Sequence, residues 1–337
     1  MKYGAKADGI TDSTQAFLKT WAAACSTRQT AFMYVPKGRF LLKAAVFRGP
    51  CKSRVLVQID GTLIAPTDYR ALGNSGYWIL FIKINGLGVY GAKLDAKGAG
   101  FWACRKSGKS CPVAARSITF NWVNNLVISD LVSINSQETH LVINSCKNVV
   151  VRNVKLSAPA DSPNTDGIHV QGSTWVTITG ATLMTGDDCV SIGKDVKEAG
   201  VEDVTLTNAV FSGSDNGVRI KTWARASSGF VTNILFQNIV MRNVKNPVII
   251  DQNYCPSKNC PNQSSGVKIS QVTYKNIQGT SATAEAVTFD CSPSNPCRGI
   301  KLQDIKLRYL NKVATSSCNN IDGTSTGVLM PQSCVRS

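Results

Sequence analysis

Val204-Thr205-Leu206-Thr207-Asn208 alternates apolar and polar side chains and ends on an asparagine, and the chain repeats this phrase many times. Before it stand Val127-Ile128-Ser129-Asp130-Leu131, Val151-Arg152-Asn153-Val154 and Val176-Thr177-Ile178-Thr179. After it come Leu235-Phe236-Gln237-Asn238-Ile239, Val272-Thr273-Tyr274-Lys275-Asn276-Ile277 and Ile300-Lys301-Leu302-Gln303-Asp304-Ile305. A period of two is what a half-buried strand needs, and Asn or Asp makes the turn that follows. Matching polar positions recur at roughly 23 to 38 residues, the mark of a solenoid whose units bury their apolar positions against one another. An all-β chain, a parallel β-helix over 1–337 as one domain, is expected. A β-sandwich is the alternative, but the Asn-Gly hairpin turns it wants are scarce. One stretch differs: 13–24 reads as an amphipathic helix with Asp12 or Ser13 as its cap, placed to cover the N-terminal end. Beyond it almost no helical periodicity is found.

Working outward, 43% hydrophobic and 17% charged residues allow a substantial core and exclude disorder. No run of 18 apolar residues exists, so no membrane span or membrane partner is expected. The 37 basic and 21 acidic residues give a formal charge of +16, which suits a polyanion. The basic residues are dispersed and no nucleic-acid-binding motif appears, so nucleic acid is not the expected partner. Twelve cysteines with only two histidines, His140 and His169, point to disulfides in an oxidising compartment rather than to zinc. The expected bridges are Cys104–Cys111, Cys255–Cys260, Cys291–Cys297 and Cys318–Cys334, with Cys25–Cys51 as a longer one. Asn262-Gln263-Ser264 is a glycosylation sequon, which also fits secretion. Met1-Lys2-Tyr3-Gly4 already reads as folded-domain sequence, so the signal peptide of a secreted protein is absent from this chain.

Chemistry concentrates between 164 and 188. Asn164-Thr165-Asp166-Gly167 is followed, one repeat later, by Gly186-Asp187-Asp188-Cys189. Stacked strands would bring Asp166 beside Asp187 and Asp188. Crowded carboxylates repel, so one holds its proton while its neighbours stay ionised. Glycoside hydrolysis needs that pair of states, an acid for the leaving oxygen and a base for water. A single Asp there would read as an ordinary turn residue; three at this spacing do not.

Asn164-Thr165-Asp166, Gly186-Asp187-Asp188-Cys189 and Arg219-Ile220-Lys221 resemble three of the four signature motifs of plant polygalacturonases, the pectin-cleaving family 28 glycoside hydrolases. Tyr3-Gly4-Ala5-Lys6-Ala7-Asp8-Gly9 and Asp251-Gln252-Asn253-Tyr254-Cys255-Pro256 resemble the family's start and its late cysteine-bearing stretch. The resemblance implies a right-handed parallel β-helix, inverting hydrolysis of polygalacturonate, no cofactor and no metal. It implies Asp187 as general acid, and Asp166 with Asp188 as the groups that hold and deprotonate water. Inversion would set acid and base about 6.5–9.5 Å apart. Asn164, Arg219, Lys221 and Tyr254 would bind substrate, Arg219 and Lys221 sharing one strand face and taking a carboxylate. Without the resemblance, Arg219 and Lys221 read equally as a solvated face and Tyr254 as packing. The partner is an acidic polysaccharide, pectin, bound by a monomer outside the cell or in its wall.

The fourth family motif, Gly-His-Gly in a phrase reading Cys-Gly-Pro-Gly-His-Gly-Ile-Ser-Ile-Gly, is absent. Ser191-Ile192-Gly193 runs directly into Lys194-Asp195-Val196-Lys197, as though one coil, on the order of 20–25 residues, had been removed. Loss of a coil should bring Arg219 and Lys221 one rung of about 4.8 Å nearer to the aspartates. There they should oppose proton retention by Asp187. The lost coil also takes the cysteine that pairs with Cys189 in relatives, leaving Cys189 and Cys146 as free thiols. His140 is expected to be structural, and His169, at an odd offset from Asp166, to face the other way. Three activities fit: a pectin hydrolase, active or impaired; a galacturonan-binding protein without turnover; and another pectin-acting β-helix, such as a rhamnogalacturonan hydrolase or lyase.

Overall fold

The computed structural model describes residues 3–193, 200–225, 228–255 and 264–335. The repeated phrases form one stack. Val127, Val150, Thr177, Thr205, Leu235, Thr273, Lys301 and Thr324 pair in succession, each with the next and in parallel. The chain is a parallel β-helix; the sandwich is excluded because nearly all pairings are parallel. At the turns after these strands Asp130, Asn153, Asn208, Asn238, Asn276 and Asp304 have positive φ. The asparagine amides donate from rung to rung, Asn276 to Asn238 at 2.9 Å and Asn238 to Asn208 at 3.1 Å, and Asn153 donates to the Asp130 carboxylate.

A second stack carries the acidic motifs. Strands Leu141–Asn144, Ile168–Gln171, Asp188–Gly193, Asn216–Trp223, Asn246–Tyr254 and Glu285–Asp290 pair in that order. Their inward columns are apolar: Leu141, Ile168, Val190, Val218, Val248 and Val287 in one, Ile143, Val170, Ile192, Ile220, Ile250 and Phe289 in the other. One continuous core follows, from Phe17 to Val335.

The N-terminal helix spans Thr14–Cys25 and lays Phe17, Trp21 and Ala24 on the first coils. Trp21 donates to the Arg48 carbonyl at 3.0 Å and meets Phe47 and Phe81 edge-on. Ser13 holds the N-cap position, but Asp12 does the capping chemistry, accepting from the Thr14 amide at 2.9 Å. A second helix, Ala99–Lys106, breaks the expectation of an otherwise helix-free chain. It is too short for a periodic signal and is fixed by Phe101, Trp102 and the Cys104–Cys111 bridge.

Cys25–Cys51, Cys291–Cys297 and Cys318–Cys334 are also bonded. Cys255 is disulfide-bonded; its expected partner Cys260 and the sequon Asn262 lie outside the described residues. Among the described residues Cys146 and Cys189 are free and buried, and burial pushes both thiols up to about 12. No described helix is long and apolar enough to cross a membrane.

Candidate active site

The outward columns of the second stack build the site. One reads Val142, His169, Ser191, Arg219, Ile249; the next reads Asn144, Gln171, Gly193, Lys221, Asp251, Asp290. Strand Asp188–Gly193 pairs directly with Asn216–Trp223, so the two basic residues stand one rung from the aspartate strand. Asp166 sits in the turn before Ile168, one rung below Asp188, where the Gly167 amide donates to the Asp188 carbonyl at 2.8 Å. Glycine is required at these turns. A Cβ on Gly167 would strike the Cys189 carbonyl, and one on Gly186 the Ser162 carbonyl.

The three carboxylates converge, each offering an oxygen within 4.8 Å of the others. That nearest-oxygen spacing is tighter than the 6.5–9.5 Å expected for inversion. Two cations sit among these carboxylates. Lys221 Nζ lies 2.7 Å from Asp188 Oδ2 and 3.5 Å from Asp166 Oδ2, bridging them. Arg219 reaches Asp188 Oδ1 at 3.2 Å and Asp251 Oδ2 at 2.8 Å. Asn216, in register with Asp188, donates to its Oδ1 at 2.7 Å. Asp188 has no exposed side-chain surface and both its oxygens are engaged.

These contacts divide the protonation states. Burial alone would raise Asp188, but the charges and hydrogen bonds of Lys221 and Arg219 hold it at about 2. Asp187 is half-buried, with Asn164 donating to its Oδ2 at 3.3 Å. Burial and then the Asp188 charge push it up to about 6, against the pull of Lys221 and Arg219. The expectation that the nearer cations oppose proton retention by Asp187 therefore holds in direction. They do favour its charged form, but desolvation and the neighbouring carboxylate outweigh them. Asp166 is also raised well above the carboxylate range by burial, despite Lys221, with Asp188, Asp187 and Glu138 adding to the rise.

Tyr254 lies under the cations, 5.0 Å from the Arg219 guanidinium and 5.5 Å from Lys221 Nζ, with Trp223 edge-on at 5.1 Å. The adjoining pocket is lined by Asp166, Lys221, Tyr254, Trp223, Arg116, Glu138 and also His169. His169 thus faces the groove, contrary to the offset argument. Asp166 belongs to the turn, so the two-residue alternation starts only at Ile168. Its Nδ1 is 2.6 Å from Ser191 Oγ, which donates to Asp166 Oδ2 at 3.3 Å. Burial and Lys221 hold His169 down at about 4, so it is neutral in mild acid. His140 is buried, with Nδ1 2.9 Å from Ser133 Oγ, away from the lining.

Sequence reasoning passed over Glu138, Arg116, Asn216 and Asp251. Arg116 and Glu138 pair at 3.4 Å, and burial raises Glu138. Chemically, the cluster offers a proton on Asp187 below pH 6 and a permanent carboxylate on Asp188. Any hydrolysis should therefore lose rate as pH rises through about 6, while Asp188 stays ionised throughout. A pH profile of kcat/KM is the measurement, its apparent value belonging to the coupled carboxylates. A profile flat from pH 4 to 8 would remove Asp187 as the acid.

The sequence model of the glycosyl hydrolases family 28 matches residues 25–200 and 193–334. Residues 193–200 are matched twice, at the junction where a coil is missing. A polygalacturonase of Prunus persica is 51% identical over 98% of this chain and 92% of that protein. That alignment runs over 360 positions, more than the chain's 337 residues, so this chain carries gaps. Polygalacturonase QRT2 of Arabidopsis thaliana is 40% identical over 98% of this chain and 82% of its own length. Among solved structures, an endo-xylogalacturonan hydrolase from Aspergillus tubingensis superposes with a TM-score of 0.75 at 22% identity, over 97% of this chain and 98% of that one. The Erwinia carotovora polygalacturonase gives 0.69 at 21%, over 94% of each. These two likenesses speak to the fold alone.

Proposed function

Because this chain belongs to the glycosyl hydrolases family 28, we propose that it hydrolyses the α-1,4 linkages of polygalacturonate in pectin, with turnover limited by its missing coil. Asp187, proton-bearing in mild acid and half-buried beside Asp166 of the groove lining, serves as general acid. Asp188 is the base for water, and Asp166, its carboxyl raised by burial, helps to hold that water. Asn164 positions Asp187, and Arg219, Lys221 and Tyr254 receive substrate. The +16 charge draws in the acidic chain.

One observation carries the limit on turnover. Lys221 Nζ bridges Asp166 and Asp188, occupying the gap in which the attacking water would be held. It favours the reading in which binding persists while hydrolysis is slow. The continuous core from Phe17 to Val335 supports one solenoid unit over 1–337. The disulfides support an extracellular or cell-wall setting.

The test pairs two assays on the purified chain, reducing-end release from polygalacturonate and retention on immobilised polygalacturonate across a salt gradient. Slow release is expected, with retention that weakens as salt screens the exposed charges. Absence of both release and retention would overturn the reading.

A further inference from the structure

The turn that leaves the groove strands carries side chains the site does not use. Strand Tyr77–Tyr90 pairs with Arg116–Ser129. That strand pairs with Leu141–Asn144 and Lys147–Arg152, and these with Ile168–Gln171 and Thr174–Thr179. Four consecutive rungs thus cross one turn. They present Lys83, Trp122, Lys147 and Trp175 in that order, cation and aromatic alternating, and all are exposed.

The tryptophans lie outside the core. Trp122 is 51% exposed and Trp175 54%. Both are held in the left-handed backbone region, at φ 52° and 56°, which is costly for a bulky side chain. Other rungs fill the Trp175 column with residues that tolerate it, Asn125, Asn148 and Asp203, whereas the Trp122 column holds Lys83, Ser145 and Gly172, all at positive φ. Strained, solvent-facing aromatics on alternate rungs of one turn mark a binding surface rather than packing. Lys147 Nζ lies 4.5 Å from the Trp175 ring centroid, so cation and ring already form one unit.

We propose that Lys83, Trp122, Lys147 and Trp175 form an accessory subsite for a galacturonan chain, extending the groove at its border. The inference rests on the substrate reading above. A sugar acid has an apolar C–H face that stacks on indole and a carboxylate that meets a lysine. With rungs about 4.8 Å apart, the two rings stand roughly 10 Å apart along the axis, with a cation between them. A polymer that repeats both features fits such a row. Trp175 lies on the same rung as Gln171 and His169, which line the groove, so one chain can reach both surfaces.

The test is a Trp122→Asn/Trp175→Asn variant; asparagine tolerates the left-handed region, as Asn125 and Asn148 show in the Trp175 column, so the change removes strain instead of adding it. Its melting midpoint should equal or exceed that of the parent. Its retention on immobilised polygalacturonate should fall by about tenfold. Lys83→Gln with Lys147→Gln should flatten the salt dependence of retention. Full retention by the folded tryptophan variant would overturn the subsite and leave the substrate reading standing. Tighter binding of a single-stranded oligonucleotide than of polygalacturonate by the parent, lost in the variant, would overturn it in favour of a nucleic-acid platform. A parent chain that is neither retained nor active on polygalacturonate would overturn the substrate reading, and the subsite with it.

Discussion

Asp187→Asn is expected to lower hydrolysis of polygalacturonate by about 10²–10⁴-fold while leaving retention on the polymer intact. Asp187 is half-buried where Asp166 and Asp188 are buried, and its carboxyl is pushed up to about 6. Asp188, held at about 2 by two cations, has no proton to give. Asparagine preserves size and can still pair with Asn164, so a loss of rate would report the proton and not the shape. Reducing-end release at pH 5 is the measurement. An unchanged rate would assign the acid elsewhere, with Asp166 the next carboxyl to replace.

Lys221→Met is expected to destabilise the protein by about 3–5 kcal/mol at neutral pH, because it leaves carboxylates buried without their bridging cation. The lysine side chain is 18% exposed and its partners Asp166 and Asp188 are 10% and 0% exposed, so solvent screens little of the loss. The pH dependence has a definite sign. Asp188 has a depressed folded value, so its contribution is present above the unfolded value of about 3.9 and is lost as pH falls through about 2. Removing Lys221 raises that folded value, so the acid-side loss should begin at higher pH in the variant. Asp166 and Asp187 act oppositely, since raised carboxyls contribute stability below the unfolded value that is lost as pH rises through the folded one. The deficit of the variant should therefore shrink between pH 7 and pH 4 as carboxylates take up protons. Guanidinium denaturation at the two pH values measures it. A deficit under about 1 kcal/mol, or one independent of pH, would contradict the bridging role.

Much of this was legible in the sequence because a solenoid turns repeats into columns. The phrase around Val204 fixed the stack, and Asn208, Asn238 and Asn276 did mark the turns. The acidic trio could be placed together, and the approach of Arg219 and Lys221 to Asp188 followed from counting one coil fewer. What failed was local. His169 was misdirected because strand alternation was applied across a turn. Glu138 and Arg116 were missed because their neighbours at the groove come from other rungs, tens of residues away in sequence. Asp251 and Asn216 were recoverable in principle. Once Gly193 is set beside Lys221, register alone places Asp251 next to Lys221 and Asn216 next to Asp188. The net effect on Asp187 was not recoverable, because it depends on burial opposing charge, and residue order does not give burial.

If one missing coil locks the cations onto Asp188 and slows a site whose acid is otherwise ready, restoring that coil should release the site. The most direct measurement inserts a Gly-His-Gly-bearing coil after Gly193 and compares the two proteins for reducing-end release and retention on polygalacturonate. With a strand restored between Asp188–Gly193 and Asn216–Trp223, Arg219 and Lys221 move one rung of about 4.8 Å away and the gap beside Asp188 opens to water. Turnover at least about 100-fold higher in the restored protein, with retention alike in both, is the predicted result. Equal turnover in the two would contradict the account.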